Sequence, residues 1–148
     1  VSDINKLLKE NRVLDEDLDQ SLEGYLFPDT YEFFVPSDAA AVHAKFEANF
    51  NQKIKTIIPE GTTPEDLKEI LIKASLIEKE VPDSSERRVV AGIMMKRLEN
   101  NILLQMDASL CYEKTSPCLP IRAADKLSDS PWNTYRNLGL PPHPIANP

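Results

Sequence analysis

Glycine, histidine and cysteine are scarce in this 148-residue chain, at four, two and two. With so few glycines a phosphate-cradling loop is hard to build, so nothing here supports pyridoxal phosphate chemistry, and no cofactor is expected. His43, His143, Cys111 and Cys118 are too few ligands for zinc and include no CxxC pair, so no metal is expected. Six residues separate the two cysteines, which leaves a disulfide and two free thiols both open. Positive charge is also short: 17 Lys and Arg stand against 24 Asp and Glu, for a net charge of -7. Such a field repels phosphate backbones and anionic lipid, and no basic run offsets it, so nucleic acid is excluded as a partner. Long apolar runs are missing too, since no window approaches the ~20 residues of a membrane span. The chain opens at Val1 on a charged stretch with no signal-peptide pattern and stops at Pro148 inside a proline-rich run. It is expected to be an excised part of a longer protein, so a membrane anchor would lie outside it.

What is present suits one soluble domain: 41% hydrophobic and 28% charged residues, with twelve prolines. A chain of this length buries roughly 70% of its unfolded surface. The expected fold class is α+β, a single mixed domain over residues 1–148 with about four helices and short antiparallel strands. Residues 1–20 form an N-terminal helix and lead-in. Apolar spacing and caps predict helices near 3 to 11, 38 to 57, 64 to 81 and 85 to 99. Thr63 before Pro64, and Asp83 three residues before Glu86, are the clearest start signals. Strands are expected near 22 to 35, in aromatic LEGYLFPDTYEFFVP, and near 102 to 112, in ILLQMDASLCY. The last 18 residues hold five prolines and should be extended and irregular.

Chemistry is most legible in ASLIEKEVP, residues 74 to 82. At ~100° per residue from Leu67, Leu71 falls near ~40°, Ala74 near ~-20°, Ile77 near ~-80° and Glu78 near ~20°, which centres Glu78 on an apolar stripe. Glu80 falls near ~220°, beside Lys68, Glu69 and Lys73, and reads as a solvated charge. A carboxyl on a core-facing stripe is paired, neutral or lining a cleft, and one held neutral is suited to donate a proton. Pairing of Glu78 with Arg87 or Arg88 is the structural alternative.

In GYLFPDTYEF, alternation puts Glu23, Tyr25, Phe27, Asp29 and Tyr31 on one side, a pattern that suits a sugar platform or simply a core face. Gln105, Asp107 and Ser109 alternate in LLQMDASLCY, and WNTY adds Asn133 and Tyr135 as polar candidates.

Taken in order, LEGYLFPDTYEF, ASLIEKE, RRVVAGIMMKRLENNILLQMDASLCY and SPWNTYRNLGLPPHPIANP resemble the successive signature blocks of the YceG-like family of endolytic murein transglycosylases, the MltG proteins. The resemblance covers roughly residues 20 to 148. It implies a lytic transglycosylase that cleaves nascent peptidoglycan strands between N-acetylmuramic acid (MurNAc) and N-acetylglucosamine (GlcNAc), leaving 1,6-anhydroMurNAc ends. It carries the catalytic acid onto Glu78. Gln105, Asp107, Asn133, Tyr135, Glu23, Tyr25 and Asp29 become expected substrate contacts. The implied partners are peptidoglycan strands and candidate cell-wall synthases, met outside the cytoplasmic membrane by a membrane-anchored parent. His143 departs from the pattern, standing where the LPPGPIANP-type run usually has glycine. Family domains also continue beyond this block, so the chain is expected to lack a C-terminal portion. A non-catalytic glycan-binding or wall-synthesis scaffold is the competing reading.

Overall fold

The computed structural model describes residues 22–34, 38–112, 114, 118 and 120–148; the helix expected near 3 to 11 lies outside them. Helix α1 (Ala39–Ile54) starts where the Asp38 side chain accepts the Ala41 N–H at 2.7 Å. The expectation ran to residue 57, but past Ile54 the backbone tightens into turns, with Ile57 and Ile58 N–H both donating to the Ile54 carbonyl. Helix α2 (Pro64–Glu80) is capped by Thr63, whose Oγ1 accepts the Asp66 N–H at 3.1 Å, and Pro64 sits at its start. Helix α3 (Arg87–Glu99) begins two residues later than expected, because Asp83 accepts the Ser85 N–H in a tight turn. Helix α4 (Asp107–Cys111) is short, and a single 3-10 turn covers Asp125–Leu127.

The α+β expectation is overturned: the described residues contain helices and no strand. Each expected strand fails for an identifiable reason. In residues 22 to 34 the Tyr25 N–H turns back to the Leu22 carbonyl, and Gly24 and Leu26 N–H donate to the Asn147 side chain (2.8 and 3.0 Å). Extended backbone is present there, but its donors have no ladder to join. Gly24 is required at that turn, since its φ is +92° and a Cβ would meet Pro144 Cγ at 2.5 Å. In residues 102 to 112, Gln105 takes a left-handed φ of 53° and the chain then coils into α4. Ala108, Ser109 and Leu110 are buried in succession, which a strand with one wet face does not allow.

Helix α2 packs on α3 and α4. Ile72 and Leu76 meet Met94 of α3, Leu104 and Met106 before α4, Ala108 within it, and Ile145 of the proline-rich tail. Ser75 is fully buried because its hydroxyl has two backbone partners: it donates to the Ile72 carbonyl and accepts the Ile145 N–H at 3.1 Å. The tail is therefore part of the core, and it positions whatever lies at the end of α2. A second region forms around α1, where Tyr31 and Phe46 pack at 4.3 Å between centroids and Tyr25 and Phe50 at 5.5 Å.

Candidate active site

Burial corrects the helical phase of α2. Its buried residues are Leu71, Ile72, Ser75 and Leu76, which at ~100° per residue occupy an arc from ~40° to ~180° on the scale used above. Glu78 and Glu80 flank that arc on opposite sides, at ~20° and ~220°, so Glu78 is not centred on the buried face. The apolar stripe drawn from Leu67 and Ala74 is a partial view, because Ile72 and Leu76 are buried as well. Glu80 is exposed, as its phase predicted, and Glu78 is half-buried, so the two have different neighbours.

Glu80 closes α2 and faces α4. Its Oε2 accepts the Ala108 N–H at 3.3 Å. Beside that contact, Asp107 Oδ1 accepts the Tyr135 hydroxyl proton at 2.5 Å, and the Lys126 ammonium lies 4.2 Å from the Tyr135 ring centroid. Burial, with the Asp107 hydrogen bond behind it, pushes the Tyr135 phenol up, and Tyr135 and Asp107 hold Lys126 above its ordinary value. The hydroxyl stays a donor and the lysine stays a cation through neutral pH.

Buried hydroxyls fix this cluster. Thr134 Oγ1 accepts the Met106 N–H at 3.0 Å and lies 2.9 Å from Ser109 Oγ, which donates to the Met106 carbonyl. Gln105 N–H donates to the Thr134 carbonyl at 3.0 Å, so the strained residue is held in place while its side chain stays exposed. The ASLIEKE, QMDAS and WNTY blocks are separate in sequence, and here they meet.

Glu78 faces a different space. It lines a cleft of about 360 Å³ with Ala74, Ile77, Arg87, Arg88 and Ala91. Its Oε2 is shielded from solvent and has no hydrogen-bond partner among the described residues. The alternative pairing with Arg87 or Arg88 is not made within 4 Å; Arg87 Nε instead donates to the Val81 carbonyl at 3.2 Å.

The YceG-like family model matches residues 1–148. The chain belongs to the YceG-like family. It is 33% identical over 97% of its length to the endolytic murein transglycosylase of Bacillus subtilis (strain 168) and 32% identical over 96% to that of Streptococcus pneumoniae (strain D39). It spans 42% and 27% of those two proteins. A crystal structure of a yceG-like protein from Listeria monocytogenes is similar to it with a TM-score of 0.75 at 31% identity, over 97% of this chain and 50% of that one.

Within this YceG-like fold the remaining expected site residues divide. Asp107 and Tyr135 bond to each other, with Gln105 close by in the chain. Asn133 turns inward: it is fully buried, and its amide nitrogen donates to the Ser128 and Lys126 carbonyls while Oδ1 accepts the Tyr135 N–H. It shapes the loop that presents Tyr135 and has no amide left for a sugar. Glu23 lies near the tail, 3.4 Å from Asn147 Nδ2, and burial raises its carboxyl. Tyr25 and Asp29 belong to the α1 region. Burial also raises the Tyr25 phenol, whereas hydrogen bonds from Thr30 N–H and the Asn49 side chain lower the Asp29 carboxyl. His143 packs edge-on against Tyr112 and Trp132, with centroids at 5.2 and 4.9 Å. Cys111, the last residue of α4, is joined to Cys118 in a disulfide.

Lys126 and the contact of Glu80 with the QMDAS block were missed from the sequence. Four consecutive small or apolar residues after Asp107 carried a signal that this block is helical, which would have aimed its first turn at Glu80. Nothing local marks Lys126.

Proposed function

We propose that this domain is the catalytic part of an endolytic murein transglycosylase that cuts glycan strands between MurNAc and GlcNAc without water, and that Glu80 is its acid and base. The observation that carries the reading is the meeting of three sequence blocks at Glu80: a carboxyl at a helix end, a backbone N–H, and the Asp107–Tyr135–Lys126 group. The names of the relatives support the reaction class.

In the proposed reaction Glu80, protonated, gives its proton to the glycosidic oxygen as the bond from that oxygen to muramoyl C1 breaks, and GlcNAc leaves as an alcohol. The muramoyl C6 hydroxyl oxygen then bonds to C1, and its proton passes to the Glu80 carboxylate. Atoms balance without water, one carboxyl suffices, and the product is the 1,6-anhydro end. Asp107, held by the Tyr135 hydroxyl, offers negative charge toward the oxocarbenium-like centre. A hydrolase of the usual kind would use it with a second carboxyl ~5 to 10 Å away to activate water. Gln105 is placed to meet sugar hydroxyl or N-acetyl groups. Glu23, Tyr25 and Asp29 would contact more distant parts of the strand.

A second reading, with Glu78 as the acid, draws on its shielded and unpartnered oxygen. No helix of the described residues is long and apolar enough to cross a membrane. The parent is proposed to hold this domain at the outer side of the cytoplasmic membrane by a segment elsewhere in the protein, near the synthases that supply new strands.

Mass analysis of products from purified murein strands treated with the full-length protein tests the reaction. Anhydro ends that vanish in Glu80→Gln support the proposal. Reducing ends would mean hydrolysis, and binding without cleavage would mean a scaffold.

A further inference from the structure

Lys126 receives little support from its own element. It stands in the middle of the single 3-10 turn Asp125–Leu127, which no side chain caps. A lysine has many rotamers open to it, so one on such a turn does not stay over a ring unaided. Its ammonium is nevertheless 4.2 Å from the Tyr135 ring centroid. On one side the turn is tied to the WNTY loop. Asn133 Nδ2 donates to the Lys126 carbonyl at 3.2 Å, and Arg136 Nη1 donates to the Leu127 carbonyl at 2.9 Å.

The other side is tied to the chain that follows α4. Lys114 Nζ lies 2.5 Å from Asp125 Oδ2, which also accepts the Arg122 N–H at 2.7 Å. At 31% and 19% side-chain exposure the Lys114–Asp125 pair is partly sheltered, and it is screened less than a pair standing free in solvent. Lys114 is itself held. Its N–H donates to the Cys111 carbonyl at 3.2 Å, and the Cys111–Cys118 disulfide closes the chain on both sides of it. A short covalent loop removes most of the conformations that would carry Lys114 away. The links form a ring that leaves α4 at Asp107, passes through Tyr135, Lys126, Asp125 and Lys114, and returns to α4 at Cys111.

We infer that the Lys114–Asp125 ion pair, braced by the Cys111–Cys118 disulfide, is a positioning device that keeps the Lys126 cation against Tyr135 beside Asp107. Lys114 and Asp125 are positioning residues and touch no reacting atom. The catalytic consequence rests on the Glu80 reading, whereas the geometry does not. A cation held there favours the ionised form of Asp107, the form that faces the oxocarbenium-like centre. Without the pair the turn keeps its ties to Asn133 and Arg136, so the fold persists and the aim of the lysine is lost.

The test uses the full-length protein with Lys114→Ala, with Cys111→Ser and Cys118→Ser together, and with Lys126→Ala, singly and combined. One readout is the rate at which an acetylating reagent modifies the Lys126 amine, followed by peptide mass spectrometry. The other is kcat and KM for formation of anhydro ends. Labelling of Lys126 should rise about threefold or more in Lys114→Ala and in the cysteine variant, and Lys114→Arg should restore it. Each loss should lower kcat about two- to tenfold with little change in KM, and should cost nothing further once Lys126 is replaced by alanine. Lys114→Ala keeps the disulfide, so the test stands even if the cysteine variant fails to fold. Unchanged labelling in Lys114→Ala overturns the inference. So does an unchanged kcat, or a kcat loss that adds to that of Lys126→Ala. Failure of the Glu80 reading looks different: labelling still responds to Lys114→Ala, while Glu80→Gln goes on forming anhydro ends.

Discussion

Around α1 the chain is held at its surface by rings and cations, whereas around α2 it is held by side chains withdrawn from water. Tyr31, Phe33 and Phe46 form a ring stack flanked by Lys45 over Phe33, and Lys53 sits over Phe27. Phe50 of that helix is buried, and Phe34 is 93% exposed. In the α2 region Leu76, Ser75 and Ser109 are at 0% exposure, and buried hydroxyls join backbone segments 25 to 70 residues apart. The difference explains where chemistry can sit. Reacting groups need supports that do not move, and only the second region supplies them.

Several substitutions break or sharpen that contrast. Leu76→Ala should destabilise the fold by about 2–5 kcal/mol in denaturant melts, because it opens a cavity at the centre of the core. Gly24→Ala acts on the joint between the regions. Its positive φ and the close approach to Pro144 should cost about 1–3 kcal/mol, with faster hydrogen exchange at Leu26 and in the tail. Phe46→Ala should cost less than Leu76→Ala, about 1 kcal/mol, and should leave exchange in α2 unchanged. An equal loss from the two substitutions would dissolve the distinction.

The smallest effect concerns pH. Burial raises Glu23 above its ordinary 4.5, so the folded chain holds a proton there that the unfolded chain has lost. This contribution is present below the unfolded value and is lost as pH rises through the folded one. Glu23→Gln should flatten that fall in stability, seen as a reduced slope of melting temperature against pH just above 4.5.

How much of this was readable beforehand depends on the kind of signal. Caps and periodicity located α1, α2 and α3, since Thr63 with Pro64 and the spacing of apolar residues are local facts. The block order pointed to the family, and residues of those blocks do meet at Glu80. The strands were misread because alternation in LEGYLFPDTYEF reflects packing on α1 and bonding to Asn147, a partner more than 120 residues away. Helical phase told the two glutamates apart, Glu78 lining a cleft and Glu80 exposed, but it drew the buried face too narrowly. Core on more than one side of α2 widened the buried arc to Ile72 and Leu76, and the tail that covers Ser75 could not be placed from periodicity. Asn133 looked like a ligand because an amide in a loop usually faces water, whereas here the loop folds around it.

The central claim is that Glu80, on the rigid side of the molecule, performs the cleavage and Glu78 does not. It is tested most directly by turnover of murein strands with the Glu80→Gln and Glu78→Gln proteins, counting 1,6-anhydro ends by mass spectrometry. The account predicts a fall of about 10²–10⁴-fold in kcat for Glu80→Gln and a kcat for Glu78→Gln close to that of the parent. The reverse pattern, with Glu78→Gln inactive and Glu80→Gln active, would contradict it.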